Sequence, residues 1–284
     1  MNRKIVLLAI EILSPLVLLT LWYVWSANST SFYFPPLSLI LERFGEVWLG
    51  EGLVEHALPS LGRMATGYFV GAVVGVVLGT ALGLSTWARR LLGPTVEFLR
   101  ALPAVVLIPF GIVVFGVDTT MKVFIIALGC CFPVVLNTAD GVRSVEPTLM
   151  DVSRSFGFTR AERLWRVTLP SASPQIFAGL RTSLALALIL MVVSEMVAST
   201  NGVGYSILQA QRLFATADMW AGILLLGLLG YLINLVLVLV ERRVLAWHRG
   251  FRGSELGWRR RPRRRGPAEP RLPDRQTAPV LRFH

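Results

Sequence analysis

The chain has 284 residues, of which 54% are hydrophobic and only 16% charged. A water-soluble domain carries about 25% charged residues, so the composition excludes an ordinary soluble globular protein. The formal net charge of +11 does not mark a nucleic-acid-binding core, because residues 249–284 hold 11 Arg against Glu255, Glu269 and Asp274, leaving +3 for everything before them.

Apolar stretches near the roughly 20 residues needed to cross a bilayer fall at 5–25, 63–84, 101–117, 123–139, 176–198 and 220–240. Backbone groups in lipid must bond within their own segment, so these read as helices and the expected fold is an all-α integral membrane protein with six spans. The first span is read as a retained helix. Its apolar run exceeds a signal-peptide core, and Ser26-Ala27-Asn28 is a poor cleavage site. With the N-terminus inside, thirteen Lys and Arg fall in the short inner stretches against four outside (Arg43, Arg63, Lys122 and Arg212). By the positive-inside rule both termini are then cytoplasmic.

In chain order, an N-terminal helix over 1–27 leads into an extracytoplasmic segment over 28–60. There Leu37, Ile40, Leu41, Phe44, Val47 and Trp48 recur at helical spacing. That predicts an amphipathic helix lying on the membrane surface or against the bundle. Residues 61–248 form the core of five spans. Its second span carries Gly67, Gly71, Gly75, Gly79 and Gly83, a packing stripe with no direct solute role. Four-residue steps drift by about 40° each, so the stripe is expected to wind round the helix and serve two neighbours in turn. In the third span Pro103 and Pro109 each remove a backbone hydrogen bond, making it either a pathway wall or a helix kinked for packing. Cys130 and Cys131, adjacent in an apolar run, read as small buried hydrophobes. In the fifth span Glu195, beside Ser194, either lines a pathway or is paired structurally, since an isolated charge there is costly. The tail over 249–284 is Arg- and Pro-rich, cannot build a core, and is expected to be disordered and drawn to anionic lipid, with no specific nucleic-acid role.

The inner loop over 140–175 holds the most specific pattern. Pro147 suits the first turn of a helix and Gly157 its C′ position, which predicts a short helix over 147–156. Thr159 with Glu162 forms a capping-box pattern. The second helix then carries Leu164, Trp165 and Val167 among Arg160, Arg163 and Arg166, and is expected to end before Pro170. Such a helix-turn-helix elbow is either a connector meeting lipid headgroups or a docking knob for a cytoplasmic partner.

Asp151-Val152-Ser153, three residues, Gly157, nine residues, then Val167-Thr168-Leu169-Pro170 resembles the "EAA" loop of the membrane subunits of type I ABC importers. Asp151 and Ser153 stand for the acid and the second alanine of that triplet, and Val167 for its isoleucine. Leu99-Arg100-Ala101-Leu102-Pro103, Ile108-Pro109-Phe110, Phe115-Gly116, Ser194-Glu195-Met196, Gly202-Val203-Gly204-Tyr205 and Glu241-Arg242-Arg243 are similar to the nitrate, sulfonate and taurine branch. The resemblance implies a six-helix type I ABC importer transmembrane domain in which the loop 140–175 engages an ATPase. Its coupling residues would be Asp151, Ser153, Gly157, Glu162, Arg163, Leu164, Trp165, Val167, Leu169 and Pro170, and its pathway candidates Pro103, Pro109, Ser194 and Glu195. Implied partners are a second permease copy, two cytoplasmic ATPase subunits, an extracytoplasmic solute-binding protein and membrane lipid. The implied solute is a small anion such as an aliphatic sulfonate, taurine or nitrate, with a thiamine precursor as the alternative.

No cofactor is expected in this chain; ATP and Mg belong to the partner. A phosphate-binding Walker loop needs Gly-Lys-Ser/Thr, and the two lysines, Lys4 and Lys122, precede Ile5 and Val123. His56, His248 and His284 are scattered, and no metal or nucleophile motif accompanies them, so an enzyme is not expected. The other classes to weigh are a gradient-driven carrier and a non-transporting scaffold. Against the carrier, the apolar spans hold few ionisable groups, namely Glu11, Glu195 and Arg181.

Overall fold

The computed structural model describes residues 19–245, together with Leu13 and Val17. The expectations for most of the first span, Glu11, His248, His284 and the basic tail lie outside the described residues. Residues 19–26 are helical, and the fold described below is that of the compact unit ending at Arg242.

The chain continues into α1 (Leu37–Trp48), a π-helical turn (Leu53–Ala57) and α2 (Leu58–Leu84). Next come α3 (Thr86–Ala101), a 3₁₀ turn (Ala104–Leu107) and α4 (Ile108–Phe115). α5 (Thr119–Arg143) leads through α6 (Pro147–Ser155) and α7 (Arg160–Arg163) into a second π-helical turn (Leu164–Thr168). α8 (Leu169–Val197), α9 (Val203–Arg212) and α10 (Thr216–Val244) complete it. Four of the described helical stretches are long and apolar enough to cross a membrane: Leu53–Leu84, Thr119–Arg143, Arg160–Val197 and Thr216–Val244.

α2 and α5 run parallel in close contact. A Cβ added at Gly67 would lie 2.7 Å from Ile126 Cβ, one at Gly75 2.6 Å from Val134 Cβ, and one at Gly83 2.6 Å from Val142 Cβ. At Gly71 and Gly79 it would meet the Ala127 and Val135 carbonyl oxygens at 2.5 Å. The whole stripe therefore faces one neighbour, not two. The facing positions on α5, Ile126, Cys130, Val134, Thr138 and Val142, also step by four, so both ridges drift in the same sense and stay together. α8 returns antiparallel on α5, with Gly141 against Ala172 and Gly179 against Pro133 and Asn137. α10 then lies antiparallel to α8, with Gly230 near Leu188 and Glu241 ion-paired to Arg181.

α1 occupies the residues expected of the amphipathic helix and packs on the bundle, its buried Leu37, Ile40 and Trp48 meeting Val203, Ile207, Ala221 and Leu225. The third span is different from its expected form. Residues 101–117 are not one helix, because α3 and the segment Ala104–Phe115 meet at 89°. Leu102 and Pro103 are extended there (ψ 122° and 123°), Leu102 as expected of a residue followed by proline. Pro109, by contrast, sits in the first turn of α4, where its missing N–H is not needed, and it kinks nothing.

The expected helix end before Pro170 is also corrected. The elbow helix runs on through α8 as one 38-residue stretch, Arg160–Val197. The wider π turn carries it past the proline, with the Leu169 N–H donating to the Leu164 carbonyl. The same device precedes Pro59, where the Leu58 N–H donates to the Leu53 carbonyl. The second and fifth spans therefore begin earlier than hydropathy placed them.

Replacing Gly75 by Leu drives a branched side chain into Val134 and the Cys131 carbonyl, and overpacking of this kind costs about 1–3 kcal/mol or more. The expected result is loss of the monodisperse protein on size exclusion.

Candidate functional site

Two sites stand at opposite ends of the bundle. At one end the N-terminal turns of α2 and α5 meet the C-terminus of α8, and there Glu195 is fully buried. Arg63 donates to its Oε1 at 2.9 Å, the Ser60 hydroxyl lies 2.7 and 2.9 Å from its two oxygens, and the Gly204 N–H donates to Oε2 at 3.1 Å. A buried carboxylate is tolerable when its charge and lone pairs are met in this way. Because Gly204 belongs to the first turn of α9, Glu195 also caps that helix, where backbone donors are free.

The same pair fixes the loop between α8 and α9. Arg63 donates to Asn201 Oδ1 at 2.5 Å and to the Asn201 carbonyl at 3.3 Å, while the Val203 N–H donates to Ser60 Oγ and the Gly202 N–H to His56 Nδ1. Gly202 has φ +121°, and a Cβ there would lie 2.5 Å from Glu195 Cδ, so no other residue fits. Lys122 is buried beside them, its Nζ 3.4 Å from the Asp118 carbonyl and near enough to Arg63 and Glu195 to feel both charges.

These contacts revise two expectations. Arg63 and Lys122, expected as outer-loop charges, are buried in the bundle, so the inventory of ionisable groups was too short. Of the pathway candidates, Ser194 is buried with its hydroxyl on the Met191 carbonyl, and Glu195 is consumed by pairing. Pro103 lines a cleft of about 540 Å³ between the α3–α4 break, α5 and α8. The signal that could have found Arg63 was its place at the head of the glycine stripe, a cation one turn before an apolar span.

At the other end lies the elbow. α6 ends at Gly157, whose φ of +76° is left-handed and favours glycine. The capping box is formed in both directions, Thr159 Oγ1 accepting from the Glu162 N–H and the Glu162 carboxylate accepting from the Thr159 N–H. Ser153 and Thr168 are buried where α6 folds back on the π turn, which explains why a small residue stands at 153. Asp151 is exposed and ion-paired with Arg154 at 2.9 Å. Arg163, Leu164, Val167, Leu169 and Pro170 are half-buried, whereas Trp165 is 69% and Phe156 77% exposed. Two large aromatic rings are thus displayed on a rigid loop.

Residues 71–246 match the family described as binding-protein-dependent transport system inner membrane component. The chain belongs to this family. A relative in Bacillus subtilis named for aliphatic sulfonates transport, the permease SsuC, is 34% identical over 85% of this chain and 88% of its own length. The taurine transport system permease protein TauC of Escherichia coli is 32% identical over 82% and 87%. Among solved structures, the inward-facing MetNI methionine ABC transporter aligns with a TM-score of 0.61 over 68% of this chain and 95% of that one, at 21% identity, a likeness of fold. The permease is therefore a multi-pass membrane transport subunit of the type I importer fold and not an enzyme. Among the described residues no cluster of His, Cys, Asp or Glu could hold a metal ion.

Substituting Glu195 by Gln leaves the Arg63 guanidinium buried without its counter-charge. Breaking one side of such a pair costs about 3–5 kcal/mol. Thermal unfolding in detergent is expected to fall by several degrees, and Arg63→Met added to Glu195→Gln is expected to recover part of the loss.

Proposed function

We propose that this permease conducts a small anionic solute of the aliphatic sulfonate, taurine or nitrate class across the cytoplasmic membrane, driven by ATP hydrolysed on a separate subunit. The observation that carries the coupling half is the elbow. It presents Trp165 and Phe156 to the outside on a frame held by a left-handed glycine, a reciprocal cap and a continuous helix into α8. Exposed Trp flanked by Arg is the residue pattern that anchors interfaces. The solute class rests on the names of the relatives quoted above, and the bicarbonate transport permease CmpB of Synechococcus elongatus, 28% identical over 80% of this chain, is likewise named for a small anion.

In this reading both termini are cytoplasmic, a second copy of the permease completes the pathway, and each copy seats one ATPase through Asp151, Ser153, Gly157 and the 162–170 segment. An extracytoplasmic solute-binding protein delivers the anion. ATP and Mg stay with the ATPase. Closure of the two ATPases then moves the elbow as a lever. Swinging a two-state bundle from 1:99 to 99:1 takes about 5.5 kcal/mol of differential binding, which a rigid, well-seated contact can transmit and a flexible one cannot.

Gly157→Pro, which forces φ out of the left-handed region, and Leu164→Asp are each expected to lower solute uptake by at least about tenfold. Basal ATP turnover is expected to remain. Proteoliposomes holding the assembled transporter, assayed for taurine uptake and phosphate release together, give both readouts. Uptake equal to wild type removes the lever.

A further inference from the structure

The cleft lined by Pro103 has a composition that packing does not explain. Its volume of about 540 Å³ lies within the usual span of small-molecule sites, about 300–1,000 Å³. Among the described residues lining it, Arg100 is the only charged one and Asn137 the only polar side chain besides it. The cleft sits at membrane depth, since Gly129 and Pro133, which bracket the midpoint of α5, form its wall. Arg100 itself stands half-exposed in the last turn of α3, and an arginine beside apolar spans marks a solute path or a partner.

The partner it has is a weak one. Arg100 Nε lies 2.5 Å from Glu97 Oε2, but the two side chains are 49% and 56% exposed, and such pairs contribute little and exchange readily. Glu97 also opens onto a different cavity, shared with Arg89 and with an Arg143 already paired to Asp140, where Arg89 can receive it. Arg100 is thus free to change partners without stranding Glu97. At Pro103 the chain turns by 89° between α3 and the segment that packs on α5, and Asn137 is held in place by its Nδ2 donating to the Pro133 carbonyl at 2.8 Å.

We propose that this cleft is a binding station for a small organic anion whose sulfonate-type head is held by Arg100, with the apolar walls of Phe132 and Ile189 taking its short carbon chain. Planar guanidinium donors match a three-oxygen anionic head, and the half-exposed Arg100 side chain leaves those donors open to it. The inference rests on the chain being an anion permease, and it adds the residue that reads the charge.

The test places a reporter thiol in the cleft, Ile189→Cys in the full-length permease, and compares a negatively charged sulfonatoethyl thiosulfonate reagent with its positively charged trimethylammonium analogue. Cys130 and Cys131 are buried, and the protein without Ile189→Cys supplies the background. Normalised to a free thiol, the anionic reagent is expected to react about tenfold faster relative to the cationic one. Arg100→Gln is expected to abolish that preference and Arg100→Lys to keep it, all three eluting as wild type on size exclusion. An unchanged ratio in Arg100→Gln overturns the proposal.

Taurine uptake in the assembled transporter separates this inference from the solute class. Charge selection at the reporter thiol with no sulfonate or taurine uptake by the parent protein upholds the anion station and removes that class. Uptake that Arg100→Gln leaves intact, with an unchanged reagent ratio, removes the station and leaves the class standing.

Discussion

The arrangement of the bundle depends on the contact between α2 and α5. In lipid, apolar side chains gain nothing by leaving the solvent, so helices associate only where their surfaces approach closely. Here the surfaces approach because five glycines on one helix meet a row of side chains on the other at the same four-residue interval. That match explains why a stripe expected to wind away from its neighbour does not. A second helix following the same ridge turns with it. α8 is laid on α5 by the same means, through Gly141 and Gly179, and also meets α2, where the Tyr68 hydroxyl donates to the Leu180 carbonyl, so the three helices together decide which ends converge.

One end collects Arg63, Lys122 and Glu195, and the other carries the elbow. The link between them is a single rod. At 1.5 Å per residue the 38-residue stretch Arg160–Val197 is about 57 Å long, well beyond the roughly 30 Å of a hydrocarbon core. Its one departure from α geometry is the π turn at Leu164–Thr168, which admits Pro170 without a break. Trp165 therefore stands on the same continuous helical stretch as Glu195, with the π turn and Pro174 between them.

Much of this was legible in the residues, and the exceptions share a cause. Local signals read correctly: α1 by its spacing, Gly157 as a left-handed stop, and Thr159 with Glu162 as a reciprocal cap. Hydropathy also found the long spans. It failed where geometry overrides composition. Residues 101–117 are apolar enough to cross the bilayer, yet Pro103 follows an extended Leu102 and the helix turns instead. Pro170 looks like a terminator, but a five-residue turn absorbs its missing donor. Arg63 and Lys122 look like loop charges because they stand at span ends. Only the meeting of helix termini distant in sequence shows that they are interior.

The pairing of Arg63 with Glu195 also governs the order in which the chain can mature. The ribosome delivers Arg63 when Glu195 is still 132 residues from synthesis. An arginine entering the bilayer without a counter-ion costs about 2.5–3.5 kcal/mol at the centre of a helix. The Arg63–Glu195 pair can therefore form only once α8 has been made, and a chain ended before residue 195 leaves Arg63 without its counter-charge.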